Sequence, residues 1–297
     1  MNIHNPYDGG GLWLKGCIHA HTTKSDGRLT PAELMNRYSQ HDYDFLAITD
    51  HDKMTTAKHP SLLMVPSVEI TLPEQRHLLS IGSAVQPNME EETQDCLARI
   101  EQSGGLAVAA HPNQDLPHPG FRWPVEALTS LRGLHGLEIY NHLASLFFPR
   151  GLAVDVWDKL LSSGVYPCWG FAVDDTHGMS DSDSGPIRDD IFGGWIVVGC
   201  PERTLAALLT SIRRGSFYAS TGVTILEVNL SATTLTVSSA DAEYVRFIGH
   251  AGRVLAEKTG MQGSYTIQGS EHYVRVECYR EDGTTAWTQP LLVSQGA

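Results

Sequence analysis

The stretch Cys17–Gly27, CIHAHTTKSDG, decides how the rest of the chain is read. His19 and His21 stand two residues apart, so in an extended strand both imidazoles leave the same face and can aim at one point. Asp26 follows five residues after His21. Two histidines and a carboxylate this close are a chelating arrangement. The same pair on a surface strand would carry no chemistry, and the remainder of the chain has to decide between the two.

Outward from this stretch, apolar runs at residues 13–21, 44–51, 62–70, 77–82, 106–112, 136–141, 165–177, 193–200 and 217–222 alternate with segments of helical period at 30–41, 91–105, 125–133, 152–164 and 202–216. Thr30 is placed to cap its helix, with Pro31 in the first turn and Glu33 at the third helical position, as in a capping box. Such alternation predicts an α/β fold of βα units around a parallel sheet, and the number of units favours a closed or nearly closed barrel. Past Gly222 the pattern changes to period two, which predicts a small antiparallel β-sandwich. The expected domains are 1–222 and 223–297.

Composition bounds the partners. With 34 acidic against 21 basic residues, a net charge of -13 and no Lys/Arg-rich run, the sequence offers no footprint for a phosphate backbone, and duplex nucleic acid is not expected. An anionic small molecule remains compatible if bound cations invert the local field. Five dispersed cysteines without a CxxC predict reduced thiols and a cytoplasmic location. No signal-like N-terminus and no apolar run of about 20 residues is found, so no membrane partner is expected.

Against this frame the polar residues at strand ends gain meaning. His19 and His21 end the first run, Asp50 and His51 the second, and Glu69 the third. His77 begins a fourth, His111 ends residues 106–111, and Asp175 and His177 end the run through 177. Loops at the C-terminal ends of barrel strands build one mouth, so these side chains are expected to converge. Their number exceeds what one ion can use, which calls for two or three.

The ordered set HAHTTKSDG, ITDHD, VEI with His77 eight residues after Glu69, AHP, and DDTH resembles the PHP (polymerase and histidinol phosphatase) superfamily over residues 13 to about 180. RRGSFYASTG and the C-terminal tail look like its CehA/McbA-type branch, which adds a C-terminal β domain. The resemblance implies a distorted (β/α)7 barrel with three divalent metal ions, Mn, Zn or Fe. His19, His21, Glu69 and Asp175 would hold the first; Asp26, His51, Glu69 and His177 the second, with Glu69 bridging; and His77 and His111 the third. Asp50 and Asp174 are expected beside ligands rather than on the metals.

Several other residues are weighed. Asn141 and His142 sit at a strand end, His142 being a candidate general acid, with a turn role as the alternative. Glu138 is either a hidden ligand or a residue facing a neighbouring strand, the second being preferred. His4, His41, His59, His118, His135, His250 and His272 have no motif around them. No GxSxG, P-loop or GxGxxG competes. The expected function is metal-dependent phosphoesterase action on a small phosphate ester, through a hydroxide bridging the metals of a trinuclear centre. The alternatives are a carboxylic or carbamate ester hydrolase of the CehA/McbA type, and a non-catalytic metal-stabilised binding module. The AHP motif runs on as NQDLPHPG without the arginine common in nucleotide-cleaving relatives, and Arg122, Arg150 and Arg188 are the candidates to replace it.

Overall fold

The computed structural model describes residues 1–9, 11–83, 85–88, 90–114, 121–147, 151–179 and 189–295. The first helix, Pro31–Ser39, starts as its sequence dictates. The Thr30 hydroxyl accepts from the Glu33 N–H at 3.3 Å, and the Glu33 carboxylate accepts in return from the Thr30 N–H at 2.8 Å. The helix buries Leu34, Met35 and Tyr38 against the strands beside it. Helix Leu205–Arg214 stops at Gly215, whose φ of 78° is the left-handed conformation that lets the last turn close.

Two sheets carry the candidate site and share one hydrophobic core. One contains the parallel neighbours Leu12–Cys17 and Phe45–Ala47, with Trp195–Cys200 antiparallel on the other side of Leu12–Cys17. The second runs in the order Ser67–Thr71, His77–Ile81, Leu106–Ala109, Leu134–Asn141, Trp169–Val173. Hydrogen bonds join the two at both edges. Glu69 donates its N–H to Thr49 O at 3.2 Å and accepts from Asp52 N–H at 2.8 Å; at the other edge Asp175 N–H reaches His19 O at 3.0 Å and His21 N–H reaches Thr176 O at 2.8 Å. The strand ends bearing His19, His21, His51, Glu69 and Asp175 are thereby drawn together.

Regular alternation of parallel strand and helix is not what forms. Ser67–Thr71 and His77–Ile81 are an antiparallel hairpin, and Leu106–Ala109 is antiparallel to the latter. Residues 72–76 are too few for the crossover that a parallel pair needs. The reversal has a use, because the start of an antiparallel strand lies beside the end of its neighbour. His77 accordingly pairs with Thr71, two residues past Glu69. Six α-helices occur among the described residues, and none lies between Phe45–Ala47 and Leu63–Val65.

Beyond Gly222 the described residues form strands joined by loops, one short 3-10 turn and no α-helix, but they do not close on themselves. Thr285–Thr288 pairs with Phe217–Ser220, and Leu291–Ser294 pairs with Asn2–His4, so these strands extend the large sheet. A three-stranded sheet of Ile225–Ser231, Thr234–Ser239 and Gln262–Thr266 contributes to a second core, which takes in Val197 and Tyr218 from earlier strands. The β-rich part expected after Gly222 is thus joined by strand pairing to the sheet of the preceding residues. Thr285–Thr288 and Leu291–Ser294 are separate strands, broken at Pro290, which has no N–H for a ladder. All five cysteines are buried and unpaired. No helix among the described residues is long and apolar enough to cross a membrane.

Candidate metal centre

The strand from Leu12 ends at Cys17, yet Ala20 still bridges to Thr176, so the chain stays extended and His19 and His21 share a face. The next turn brings Asp26 back. Asp50 organises it by accepting from the Thr22 N–H and hydroxyl, both at 2.7 Å, from Ser25 Oγ at 2.9 Å and from the Thr55 hydroxyl. Gly27 is needed there, since a Cβ would meet the His21 carbonyl carbon at 2.6 Å.

Glu69 stands at the centre, 1% exposed. Its Oε2 lies 3.1 Å from His19 Nε2, 3.1 Å from His21 Nε2 and 3.3 Å from His51 Nδ1. Its Oε1 lies 3.0 Å from His77 Nδ1 and 3.4 Å from His111 Nε2. Asp175 Oδ1 is 3.1 Å from His19 Nε2 and 3.2 Å from His21 Nε2. Toward the mouth, Asp26 Oδ2 is 3.2 Å from His177 Nε2 and 3.6 Å from His51 Nε2. These residues, apart from the fully buried His19 and His21, line a cleft of about 190 Å³ with Gln114, Phe121 and Leu143. His111 and Asp175 adopt φ of 29° and 56°. Non-glycine residues cost roughly 1–3 kcal/mol each in such conformations, which persist where surroundings hold them.

The donor set fits divalent ions. Atoms bound at about 2.1 Å to one ion stand roughly 3.0–3.4 Å apart, and the spacings above cluster in that range. His19 Nε2 and His21 Nε2 face each other at 3.1 Å, an arrangement two neutral acceptor nitrogens would avoid without a cation between them. Three groups of ligand atoms close enough to share an ion appear among the described residues: His19, His21 and Asp175; His21, Asp26, His51 and His177; and His51, Glu69 and His77. The electrostatics agree. Burial opposes a charged His19, but Asp175, Glu69 and Glu138 outweigh it and hold its pKa well above the ordinary value. His21 is likewise buried, yet its bonds to Asp175 and Glu69 push it up to about 9. Burial also disfavours an ionised Glu69, and His19, His51 and His77 overcome it, holding the carboxyl well below its usual range. The carboxylates demand positive charge at this point, which protons meet in the chain alone.

Not every expected residue faces the cleft. His142 puts Nδ1 3.1 Å from the Tyr140 hydroxyl and Nε2 3.1 Å from Asp189 O, and packs against Gly193, so both nitrogens are engaged away from the cluster. Asp174 accepts from Tyr38 OH at 2.6 Å and from the N–H groups of Phe192, Gly193 and Gly194 at 2.8–3.0 Å. It secures the loop after Trp169–Val173. Asn141 is buried at the end of the strand Leu134–Asn141, and Arg122 is exposed beside Phe121. Arg150, Arg188 and His118 lie outside the described residues. His41 stacks on Phe192, His59 contacts Asn36, His135 bonds Arg213, and His250 pairs with His272, all apart from the cleft.

Two residues gain roles that strand position alone did not reveal. Asp190 accepts from His177 N–H at 2.6 Å and from the Thr176 hydroxyl at 2.8 Å. Glu138 is fully buried with Oε1 2.5 Å from His19 Nδ1 and Oε2 accepting from His111 N–H at 2.6 Å. Its carboxylate is shared between two of the clustered histidines and Asn141 of its own strand.

No family model matches the chain. It is 40% identical over 206 residues to the 5'-3' exoribonuclease Rnm of Salmonella typhimurium (strain LT2), covering 60% of this chain and 68% of that protein. The chain belongs to the Rnm family. A shorter match to Rnm of Escherichia coli (strain K12) is 39% identical over 74 residues, 22% of this chain and 25% of the relative. Among solved structures, a two-domain protein from Bacteroides vulgatus containing a predicted PHP-like metal-dependent phosphoesterase superposes with a TM-score of 0.55 at 17% identity, covering 94% of this chain and 95% of that one; this likeness speaks for the fold alone. Endonuclease Q bound to a 27-mer duplex with an abasic lesion is more distant, with a TM-score of 0.48 at 12% identity over 69% of this chain and 56% of that one.

Together with the Rnm relationship, the histidine and carboxylate cluster makes the chain a metal-dependent hydrolase. The expectation of a small phosphate ester as substrate and of no duplex nucleic acid is overturned by the Rnm relationship, because that relative is an exoribonuclease and so acts on nucleic acid. Net charge is a poor guide to such a partner. A total of -13 averages the whole surface, whereas phosphate recognition depends on the local field of the cleft, which bound cations dominate.

Proposed function

We propose that this protein hydrolyses phosphodiester bonds of RNA, removing nucleotides from the 5' end, with up to three divalent ions held at the cleft. The observation that carries the reading is Glu69, one carboxylate with five histidine nitrogens within 3.0–3.4 Å of its two oxygens. A bridging role for Glu69 follows. In this reading His19, His21, Glu69 and Asp175 would hold one ion, Asp26, His51, Glu69 and His177 a second, and His77 and His111 a third. Such ions, when bound, supply activation of water and neutralise phosphate charge. The chain's own residues bind and orient. Asp26, exposed at the mouth, closes the outer side of the cleft. Phe121 lines the same cleft with its ring centre 5.0 Å from that of His77, and its face suits stacking of a terminal base.

The RNA assignment draws on the Rnm relative. Residues 1–222 act in this reading as the catalytic part and 223–297 as a scaffold, which fits the absence of ligand clusters in the latter among the described residues. The buried, unpaired thiols suit a cytoplasmic location.

The test is incubation of the manganese-loaded protein with 5'-phosphorylated single-stranded RNA and with a carboxylic ester. Stepwise release of nucleotides from the 5' end is expected, and Phe121→Ala should raise KM for RNA roughly tenfold while leaving a base-free phosphodiester unaffected. Ester turnover without RNA cleavage would transfer the protein to the carboxylic or carbamate ester class, and no turnover at all would leave a binding module.

A further inference from the structure

We propose that Glu138 and Asn141, neighbours on the strand Leu134–Asn141, form a positioning pair that controls metal affinity in two parts of the centre at once. The inference rests on the reading that His19, His111 and Asp175 hold ions, and it concerns side chains that touch no ion themselves. Glu138 Oε1 is 2.5 Å from His19 Nδ1. A carboxylate there fixes the hydrogen on Nδ1 and leaves the Nε2 lone pair facing Glu69 and Asp175. The other oxygen accepts the backbone N–H of His111 at 2.6 Å. That residue has a φ of 29°, so the bond holds a strained backbone in the conformation that aims His111 Nε2 at Glu69 Oε1. One carboxylate thus orients a histidine on each side of Glu69.

Asn141 completes the pair. Its amide nitrogen donates to Glu138 Oε2 at 2.9 Å and to Asp175 Oδ2 at 3.0 Å, and its amide oxygen accepts from Ala144 N–H at 2.8 Å. The helical N–H can only donate, which settles the orientation of the amide and turns its NH2 toward the two carboxylates. Asp175 Oδ2 is occupied in this way, and Oδ1 is left facing His19 and His21. Three expected ligands on three different segments are therefore held from a single strand, two of them by backbone or tautomer control that no metal ligand supplies.

The experiment compares wild type, E138Q, E138L and N141A for metal content, for affinity by chelator competition with Mn(II), and for the visible absorption of the Co(II)-loaded protein. E138Q retains the size of the side chain but has one acceptor where two are used, so it satisfies His19 or the His111 N–H but not both. A loss of 10- to 100-fold in affinity is expected for E138Q, with a larger loss for E138L, fewer bound ions, and a changed Co(II) spectrum. Melting temperatures of the metal-free proteins identify any variant that fails to fold, and E138Q carries the test if E138L does. Wild-type affinity and an unchanged Co(II) spectrum in folded E138Q and N141A would overturn the inference. Failure of the wild-type protein to bind any metal would instead overturn the functional reading on which it rests.

Discussion

Asp158 and Arg275 are buried where helix Val154–Ser162 meets strand Tyr273–Tyr279, and Glu69 with its histidines is buried at the cleft, but the two groups are completed differently. Asp158 Oδ1 accepts Arg275 Nε at 2.9 Å and the Tyr273 hydroxyl at 2.8 Å; Oδ2 accepts the guanidinium at 2.8 Å. Glu277 takes another guanidinium nitrogen at 2.7 Å, and Trp157 packs against the cation at 5.0 Å. Charge and hydrogen bonds are satisfied there by the chain itself. At the cleft, carboxylates crowd nitrogens that face one another, His111 Nδ1 is buried without a partner, and His111 and Asp175 sit in left-handed backbone. Buried charge that closes on itself is a joint between parts of the fold, and buried charge that leaves positive charge to be supplied is a site for cations.

That contrast is most open to breakage at Glu69. Glu69→Gln should lower RNA hydrolysis by more than about 100-fold, and by more than His77→Ala or His111→Ala, because those remove ligands from one side of the bridge only. The variant should stay folded, as judged by circular dichroism. Equal losses in all three would mean that Glu69 does not bridge.

The joint should answer in stability instead. Arg275→Ala leaves Asp158 buried without its cation, a change that typically costs about 3–5 kcal/mol. It should appear as a lower urea midpoint, with metal content per folded molecule unchanged. Loss of metal without loss of stability would erase the distinction between the two regions.

A smaller effect is expected at His135, a third buried polar residue that belongs to neither. Burial and the neighbouring Arg213, which donates to Nε2 at 2.9 Å, pull its pKa down to about 4. Between roughly pH 6.5 and 4 the unfolded chain takes up a proton that the folded chain refuses, so folding stability falls as pH drops, approaching about 1.4 kcal/mol per pH unit. Above that window the contribution is constant. Urea titrations of wild type and His135→Gln should diverge below pH 6.5; parallel curves would show that His135 is protonated in the folded state.

How far the sequence reaches is clearest in individual residues. His19, His21, Asp26, His51, Glu69, His77, His111, Asp175 and His177 were legible as candidates because histidines and carboxylates gather at the ends of the apolar runs, and the nine side chains lie around one cleft. Glu138 was not, since a glutamate alternating with apolar residues reads more readily as a strand side chain, and its partner His19 is 119 residues away. The capping box at Thr30 was visible because it is local. The hairpin of Ser67–Thr71 and His77–Ile81, and the pairing of Phe217–Ser220 with Thr285–Thr288, depend on contacts that period alone does not encode. The substrate class was misjudged for a related reason, since net charge carries no positions.

The most direct test of the central claim, that Glu69 and the surrounding nitrogens hold a multinuclear centre, is elemental analysis of the full chain purified after metal-supplemented expression. Two to three equivalents of Mn, Fe or Zn per chain are expected, falling in Glu69→Gln. One equivalent or none in a folded, metal-replete sample would contradict it.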